Sequence, residues 1–342
     1  MPFVLRPSPR RSPRSAVRVP RALWFAVAGW CAVNALVLIL AGDVPPFDWP
    51  DAAGRSTAGH LVDANIRLLE FLLLAAVVVL LTRRRARPDQ AARAPERPTA
   101  LRETLGLLAY GAAALGGGFL LARAFGWHPF GLHLAGTLYG THETVSPAEA
   151  ATWAVYNLAA YAAAPLWWFR RRYPARRLNL TSTDRRGDAL VITVVLVLES
   201  AVQLLALRPD LLALSGRQLA IGLPLTFVLY LAGAVLPAMV FVYCILVPRF
   251  QRLTGSTVAT VVLGGLAYAA LHVWDAWALF DGLDETVLSL LFVLLTYAVP
   301  GMVKTVLTVR TGNAWVHVWA YHALAPHTLI DTPHLVHVLD IK

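Results

Sequence analysis

Cysteine is almost absent from this sequence. Its two copies, Cys31 and Cys244, stand far apart in apolar runs, and no CxxC pair occurs. Neither a disulfide framework nor a thiolate metal site is suggested, and both cysteines are expected as small buried hydrophobes. Charge is scarce too, at 15% of 342 residues against 57% hydrophobic. A water-soluble domain of this size cannot hide so much apolar surface. No internal repeat is found. No convincing small-x-small cleavage site ends the first apolar run, Ala22 to Ala41, which is too long for the core of an ordinary signal peptide. That run is expected to remain as a first membrane helix.

What the chain does have is apolar residue in quantity, with a mean hydropathy of +0.58. These residues gather in runs of about twenty, the length that crosses roughly 30 Å of hydrocarbon. In lipid each run must satisfy its own backbone hydrogen bonds, so the runs are helices. The expected fold is an all-α polytopic transmembrane bundle of about nine spans (eight to nine). They lie near 22–41, 64–82, 104–126, 149–169, 188–207, 219–247, 256–274, 287–308 and 313–330. Around them the chain divides into a basic tail (1–21), two N-terminal helices (22–82), an Arg/Pro-rich linker (83–103), the main bundle (104–330) and a short tail (331–342).

The net charge of +10 suggests nucleic acid only until its placement is read. Six arginines precede the first run, seven lie in 83–103 and seven in 170–187, and Arg249, Arg252, Lys304 and Arg310 follow in later turns. Thus 24 of the 30 basic residues fall on alternate loops. The positive-inside rule makes those loops cytoplasmic. The expectation is a multi-pass inner-membrane protein with a cytoplasmic N-terminus, a lipid bilayer as its main partner and no nucleic acid; nine spans leave the C-terminus outside. Asp43, Asp48, Asp51 and Asp63, and further on Asp275, Asp281, Asp284 and Glu285, sit on the opposite side. Ser146-Pro147-Ala148-Glu149 is a capping box with proline at the first helical position, so a helix starts there. The linker is expected to be disordered, and Gly116, Gly117 and Gly118 to serve close helix packing.

Polar residues inside spans are costly and therefore informative. Glu199 lies mid-span with Ser200 and Gln203 nearby; His272 follows Tyr268 by one turn; His322 sits in the ninth span. Tyr243 shares a helix face with Met239. Helical rise places Glu199 about 16 Å deep, His322 about 13 Å and His272 about 24 Å. The histidines His317, His322 and His327 are spaced by five, which sets successive side chains about 140° apart on an α-helix. On that geometry they do not converge. His334 and His337 have a usable spacing but lie in the short tail, so no metal site and no cofactor are expected.

The stretch from Leu236 through His272 resembles the core of the CPBP family, the CAAX-type intramembrane endopeptidases and bacteriocin-processing homologues. The family's pattern is Glu-Glu-x-x-x-Arg, a Pro-Arg turn, Phe-x-x-x-His, then His-x-x-x-Asn. Val247-Pro248-Arg249-Phe250 is similar to the turn, Tyr268-Ala-Ala-Leu-His272 to the second motif, and Thr311-Gly312-Asn313 with His322-Ala-Leu-Ala-Pro326 to the third. Arg177-Leu178-Asn179-Leu180 resembles the lead-in, so the likeness covers about 150–330. It implies a glutamate that activates water, assisted by histidines and an asparagine. In this chain the two glutamates fall on Ala238 and Met239, the arginine on Tyr243, and the asparagine on Pro326. Neither alanine nor methionine accepts a proton.

Three readings follow. The first is a non-catalytic or divergent homologue that binds a membrane-embedded peptide or protein. The second is an active peptidase with Glu199 as relocated carboxylate beside His272 and His322, and with Tyr243, Tyr268 and Asn313 lining the cavity. The third is a small transporter or membrane assembly factor.

Overall fold

The computed structural model describes residues 21–48, 50, 54–207 and 210–342. Asp51 and the arginines Arg6, Arg10, Arg11, Arg14 and Arg18 lie outside these. Helix is the only regular structure among the described residues. Six helices are long and apolar enough to cross a membrane. They are α1 (Arg21–Leu40), α2 (Thr57–Leu81), α4 (Arg97–Ala124), α7 (Arg185–Leu207), the composite helix Gly216–Thr254 and α12 (Leu283–Thr311). The chain is therefore an α-helical integral membrane protein.

The other three expected spans are helical but fall short of that measure. The shorter apolar helix α11 covers Thr257–Ala270. Between α4 and α7 stand α5 (Pro147–Asn157), a π-helical segment (Leu158–Ala163) and α6 (Ala164–Arg170), where Trp153, Tyr156, Asn157, Tyr161 and Pro165 lower the hydropathy. The chain closes with α13 (Trp315–His317), two π segments (Val318–His322 and Leu324–Leu329) and α14 (Ile330–Val338), loaded with histidine. Nine crossings thus remain an expectation of the sequence. Outward faces of α1 and α2 carry Phe25, Ile39 and Leu73 well exposed, as lipid-facing side chains are. Cys31 is exposed on α1, against the expected burial; Cys244 is buried.

The composite helix runs from α8 (Gly216–Tyr230) through a π segment (Leu231–Val235), α9 (Leu236–Ala238) and a second π segment (Met239–Leu246) into α10 (Val247–Thr254). Its π segments, and the one before α6, have a common cause. Pro165, Pro237 and Pro248 each follow directly in the first turn of the next α segment. Proline offers no N–H, and its ring collides with the carbonyl one turn earlier. Widening to the i→i+5 pattern makes room for the ring. The carbonyls left without a backbone donor must then find one in the low-dielectric interior. Side chains from other segments supply it: Tyr110 Oη donates to the Ala160 carbonyl (2.8 Å), Asn157 Nδ2 to Gly233 (2.9 Å) and Asn179 Nδ2 to Tyr243 (3.0 Å). Asn179 does this from the left-handed region (φ 54°), which asparagine tolerates better than most residues.

The arginine-bearing loops meet at one end of the bundle. Arg85 pairs with Asp188 at 2.5 Å, and Gln90 donates to the Thr308 carbonyl. Arg93 bonds Asn179 and the Gly312 carbonyl, and Arg249 pairs with Glu103 at 2.6 Å. The 83–103 segment is therefore no loose linker. It holds a short helix, α3 (Gln90–Arg93), with Gln90 and Arg93 both buried, and α4 starts within it at Arg97. Lys304 also departs from expectation. It lies inside α12, buried, with its Nζ 3.6 Å from the Tyr268 ring centre.

The acidic loops meet at the other end, where His142 pairs with Asp48 and Phe47 packs edge-on to Trp277. Ser146 caps α5 by accepting the Glu149 N–H. The Glu149 side chain does not return to close the box; it takes His128 instead, at 2.8 Å to Nδ1 and 2.9 Å to the backbone N–H. Glu143 holds the other ring nitrogen at 2.9 Å. The Glu149 hydrogen bond, against some desolvation, raises the His128 pKa above its ordinary value. A raised folded pKa means a stabilising contribution that is complete below the unfolded value of about 6.5 and lost as pH rises through the folded one. The melting temperature of the protein in detergent should therefore exceed that of His128→Gln most at acidic pH. The two should converge toward alkaline pH, and a gap that widens with pH would contradict the assignment.

Candidate functional site

The interior between α2, α7, α12 and the last helix is polar to a degree that hydrocarbon does not tolerate without function or full pairing. A cavity of about 190 Å³ lies there, room for about six waters at liquid density. Its mouth is set by Arg55 and Asp63 near the start of α2, and its depth by Glu70, Lys304, Tyr268, His322, His327 and His133. The opening thus faces the acidic end. The second N-terminal helix, α2, which the family likeness leaves out, forms part of its wall.

The loop 125–146 carries His133 inward, and its neighbours fix it. Trp153 Nε1 and Asn157 Nδ2 both donate to the Gly131 carbonyl, at 2.8 and 2.9 Å. Thr137 meets the Tyr230 hydroxyl at 2.9 Å. His272 arrives from the turn that ends α11, whose close approach to α12 rests on Gly265 and Gly301: a Cβ on Gly301 would stand 2.9 Å from the Gly265 Cα. The His272 ring stacks on Tyr297 with centres 3.8 Å apart.

Asp275 joins the two histidines. Its Oδ2 lies 3.0 Å from His272 Nδ1 and 3.2 Å from His133 Nδ1, while Oδ1 accepts the His133 backbone N–H at 3.2 Å. All three side chains are buried. Both imidazoles satisfy Asp275 by donating from Nδ1, which leaves the lone pair of each ring on Nε2. His272 Nε2 is buried without a hydrogen-bond partner.

The last helix adds three more histidines, and they do converge. Ring centres of His317 and His322 are 5.9 Å apart, those of His322 and His327 5.2 Å, and that of His327 is 5.2 Å from His133. The 140° argument assumed an α-helix, whereas His322 and His327 occupy π segments that begin directly after His317, and in which Ala323 N–H bonds back five residues to Val318. An i→i+5 ladder makes neighbours of residues five apart. Pro326 sits in the second of these segments. Tyr268 Oη reaches His322 Nε2 at 3.2 Å and touches His272 edge to face, so the unequal depths of His272 and His322 are bridged by one side chain. His327 Nδ1 is 3.2 Å from Asp331, and its ring stacks on Tyr230 at 4.3 Å.

The remaining expected site residues fall elsewhere. Glu199 is fully buried and accepts from Gln203 at 2.7 Å. Its charged neighbours are Glu70 and Lys304; the carboxylate that touches His272 is Asp275. Tyr243 and Asn313 do not line the cavity. Tyr243 is packed beside His317, and Asn313 sits at the arginine end, donating to Asp188 at 2.9 Å. Ala238 and Met239 are buried in the composite helix, which contributes no residue to the cavity lining. Of the residues that the sequence reading left out, Asp275 stood three positions after His272, a spacing that one helical turn brings together. His133 gave no comparable signal, because only the tertiary fold carries its loop inward. Neither family models, curated proteins nor solved structures give a match to this chain.

Proposed function

We propose that this integral membrane protein is a membrane-embedded hydrolase of CPBP-like descent, with its reaction chamber built on the Asp275–His272–His133 group. The observation that carries the reading is Asp275 held between two imidazoles, one of which, His133, lines a cavity of water-binding size. Asp275 fixes the ring and tautomer of both imidazoles, and the Nε2 lone pair of His133, which lines the chamber, is a base for a water there. Tyr268 and Lys304 offer donors to an oxygen that gains negative charge as the water attacks. The cavity is too small for a folded substrate, and its mouth between helices suits an extended segment of a membrane peptide.

The test is cleavage of a fluorogenic transmembrane peptide by the purified protein in liposomes, compared with His133→Ala and Glu199→Gln. Cleavage that disappears in His133→Ala and persists in Glu199→Gln supports this chamber. Loss in Glu199→Gln alone would move the carboxylate role to Glu199. The absence of cleavage across membrane peptides would favour the first reading of the sequence, a non-catalytic homologue that binds a membrane-embedded partner. Ala238 and Met239 at the family's acid positions motivate that alternative.

A further inference from the structure

We propose that His133, His272 and Asp275 bind a divalent first-row transition-metal ion of the zinc class. One donor atom from each of the three lies within 4.8 Å of the other two. Tetrahedral ligands at zinc distances of about 2.0–2.2 Å stand about 3.3–3.5 Å from one another. Two edges of the triangle, His272 Nδ1 to Asp275 at 3.0 Å and His133 Nδ1 to Asp275 at 3.2 Å, are already close to that spacing. Small ring rotations close the third. Each imidazole then carries its proton on Nε2 and presents the Nδ1 lone pair, so the ion replaces the two hydrogen bonds that now satisfy Asp275.

A second observation comes from a different helix. His327 has Nδ1 turned to Asp331 at 3.2 Å, and its Nε2 is buried with no hydrogen-bond partner. A carboxylate behind one ring nitrogen is how proteins orient metal-binding histidines, fixing the tautomer that leaves the other nitrogen free to coordinate. His327 lines the same cavity as His133, ring centres 5.2 Å apart. It is the donor at hand for the fourth position, alternating there with water. Two or three imidazoles with one carboxylate suit zinc and its neighbours. Calcium and magnesium ask for oxygen ligands instead. The consequence for chemistry rests on the hydrolase reading: a water on the ion would be acidic enough to ionise near neutral pH, passing activation from the imidazole to the metal.

The experiment is metal content by mass spectrometry on purified full-length protein dialysed against zinc, together with the visible bands of the cobalt-substituted form. One equivalent of zinc per chain and tetrahedral cobalt bands are expected. Affinity should fall by about a hundredfold or more in His133→Ala and in Asp275→Asn. His334→Ala/His337→Ala, which removes the tail pair, should keep the ion. Far-UV circular dichroism identifies any variant that has lost metal by unfolding, and His327→Gln provides a milder second variant. Sub-stoichiometric zinc, or zinc that leaves only with the tail pair, overturns the proposal. Peptide cleavage is read on the same samples. Bound zinc without cleavage sustains the metal site and rejects the hydrolase reading; full-rate cleavage by metal-free protein sustains the hydrolase reading and removes the ion from its chemistry, while zinc stoichiometry alone decides the site.

Discussion

Asp275→Asn is expected to lower hydrolysis by roughly a thousandfold to ten-thousandfold while leaving the helical fold in place. The reason is tautomeric. In the native group one carboxylate accepts from Nδ1 of two imidazoles at once. An asparagine side chain has one oxygen and one amide nitrogen, and the nitrogen can only donate. Because the His133 backbone N–H can only donate, it keeps the oxygen at the Oδ1 position; the nitrogen then takes the Oδ2 position that both Nδ1 atoms face, and the imidazoles must turn from donor to acceptor at Nδ1 and carry their protons on Nε2, where the base should be. A wrong tautomer of this kind, with geometry otherwise intact, costs on the order of 10⁴ in a histidine-based hydrolase. The stability loss should be smaller, about 1–3 kcal/mol, the usual penalty for one poorly satisfied buried polar group. The measurement is initial cleavage rate in liposomes beside the unfolding midpoint in detergent. A variant that cleaves at the native rate would remove Asp275 from the chemistry.

How much of this was legible beforehand varies by physical cause. The membrane character, the α-helical class and the arginine-rich end were readable because length, hydropathy and charge act locally. Arg85, Arg93 and Arg249 gather at one end, as their alternating positions implied. Span count was harder, because the interior is completed by helices too short or too polar to read as lipid-spanning, although the largely buried composite helix and α12 do read so. Trp315–Val338 exchanges leucine-like residues for histidines and Asp331, and so drops below the measure of a lipid-spanning helix. The histidine ladder was misread for one definable reason. Angular reasoning took 100° per residue for granted, while prolines at 165, 237, 248 and 326 accompany π segments that change it. Proline beside a run of lipid-embedded polar residues is the signal that could have exposed the widening. Tyr268, His272 and His322 were picked out by motif and the structure brings them into contact. Tyr243 and Asn313 share the motif but serve backbone and ion-pair networks instead. Lys304 was assigned to a loop because lysine usually sits there; burial against Tyr268 is a tertiary property that one sequence does not reveal.

Gly131→Ala should damage the chamber more than any other single methyl addition in the loop that carries His133. Gly131 packs directly on Asp275: a Cβ would stand 2.1 Å from Asp275 Oδ1, 2.6 Å from its backbone nitrogen and 2.8 Å from its Cα. A flexible side chain could swing away from the added methyl, but the backbone of Asp275 cannot. The glycine cannot retreat either, since Trp153 and Asn157 both hold its carbonyl from the opposite side. Relief therefore has to come from Asp275 itself, which moves off His272 and His133. Overpacking of this kind costs about 1–3 kcal/mol, and the displacement of the carboxylate should take cleavage and zinc binding with it. Gly116→Ala, where a Cβ meets nothing within 4 Å, is the matched control and should be silent in all three measurements. Equal behaviour of the two variants would mean that the loop does not press on Asp275, and the geometry from which the chamber is built would fall with that contact.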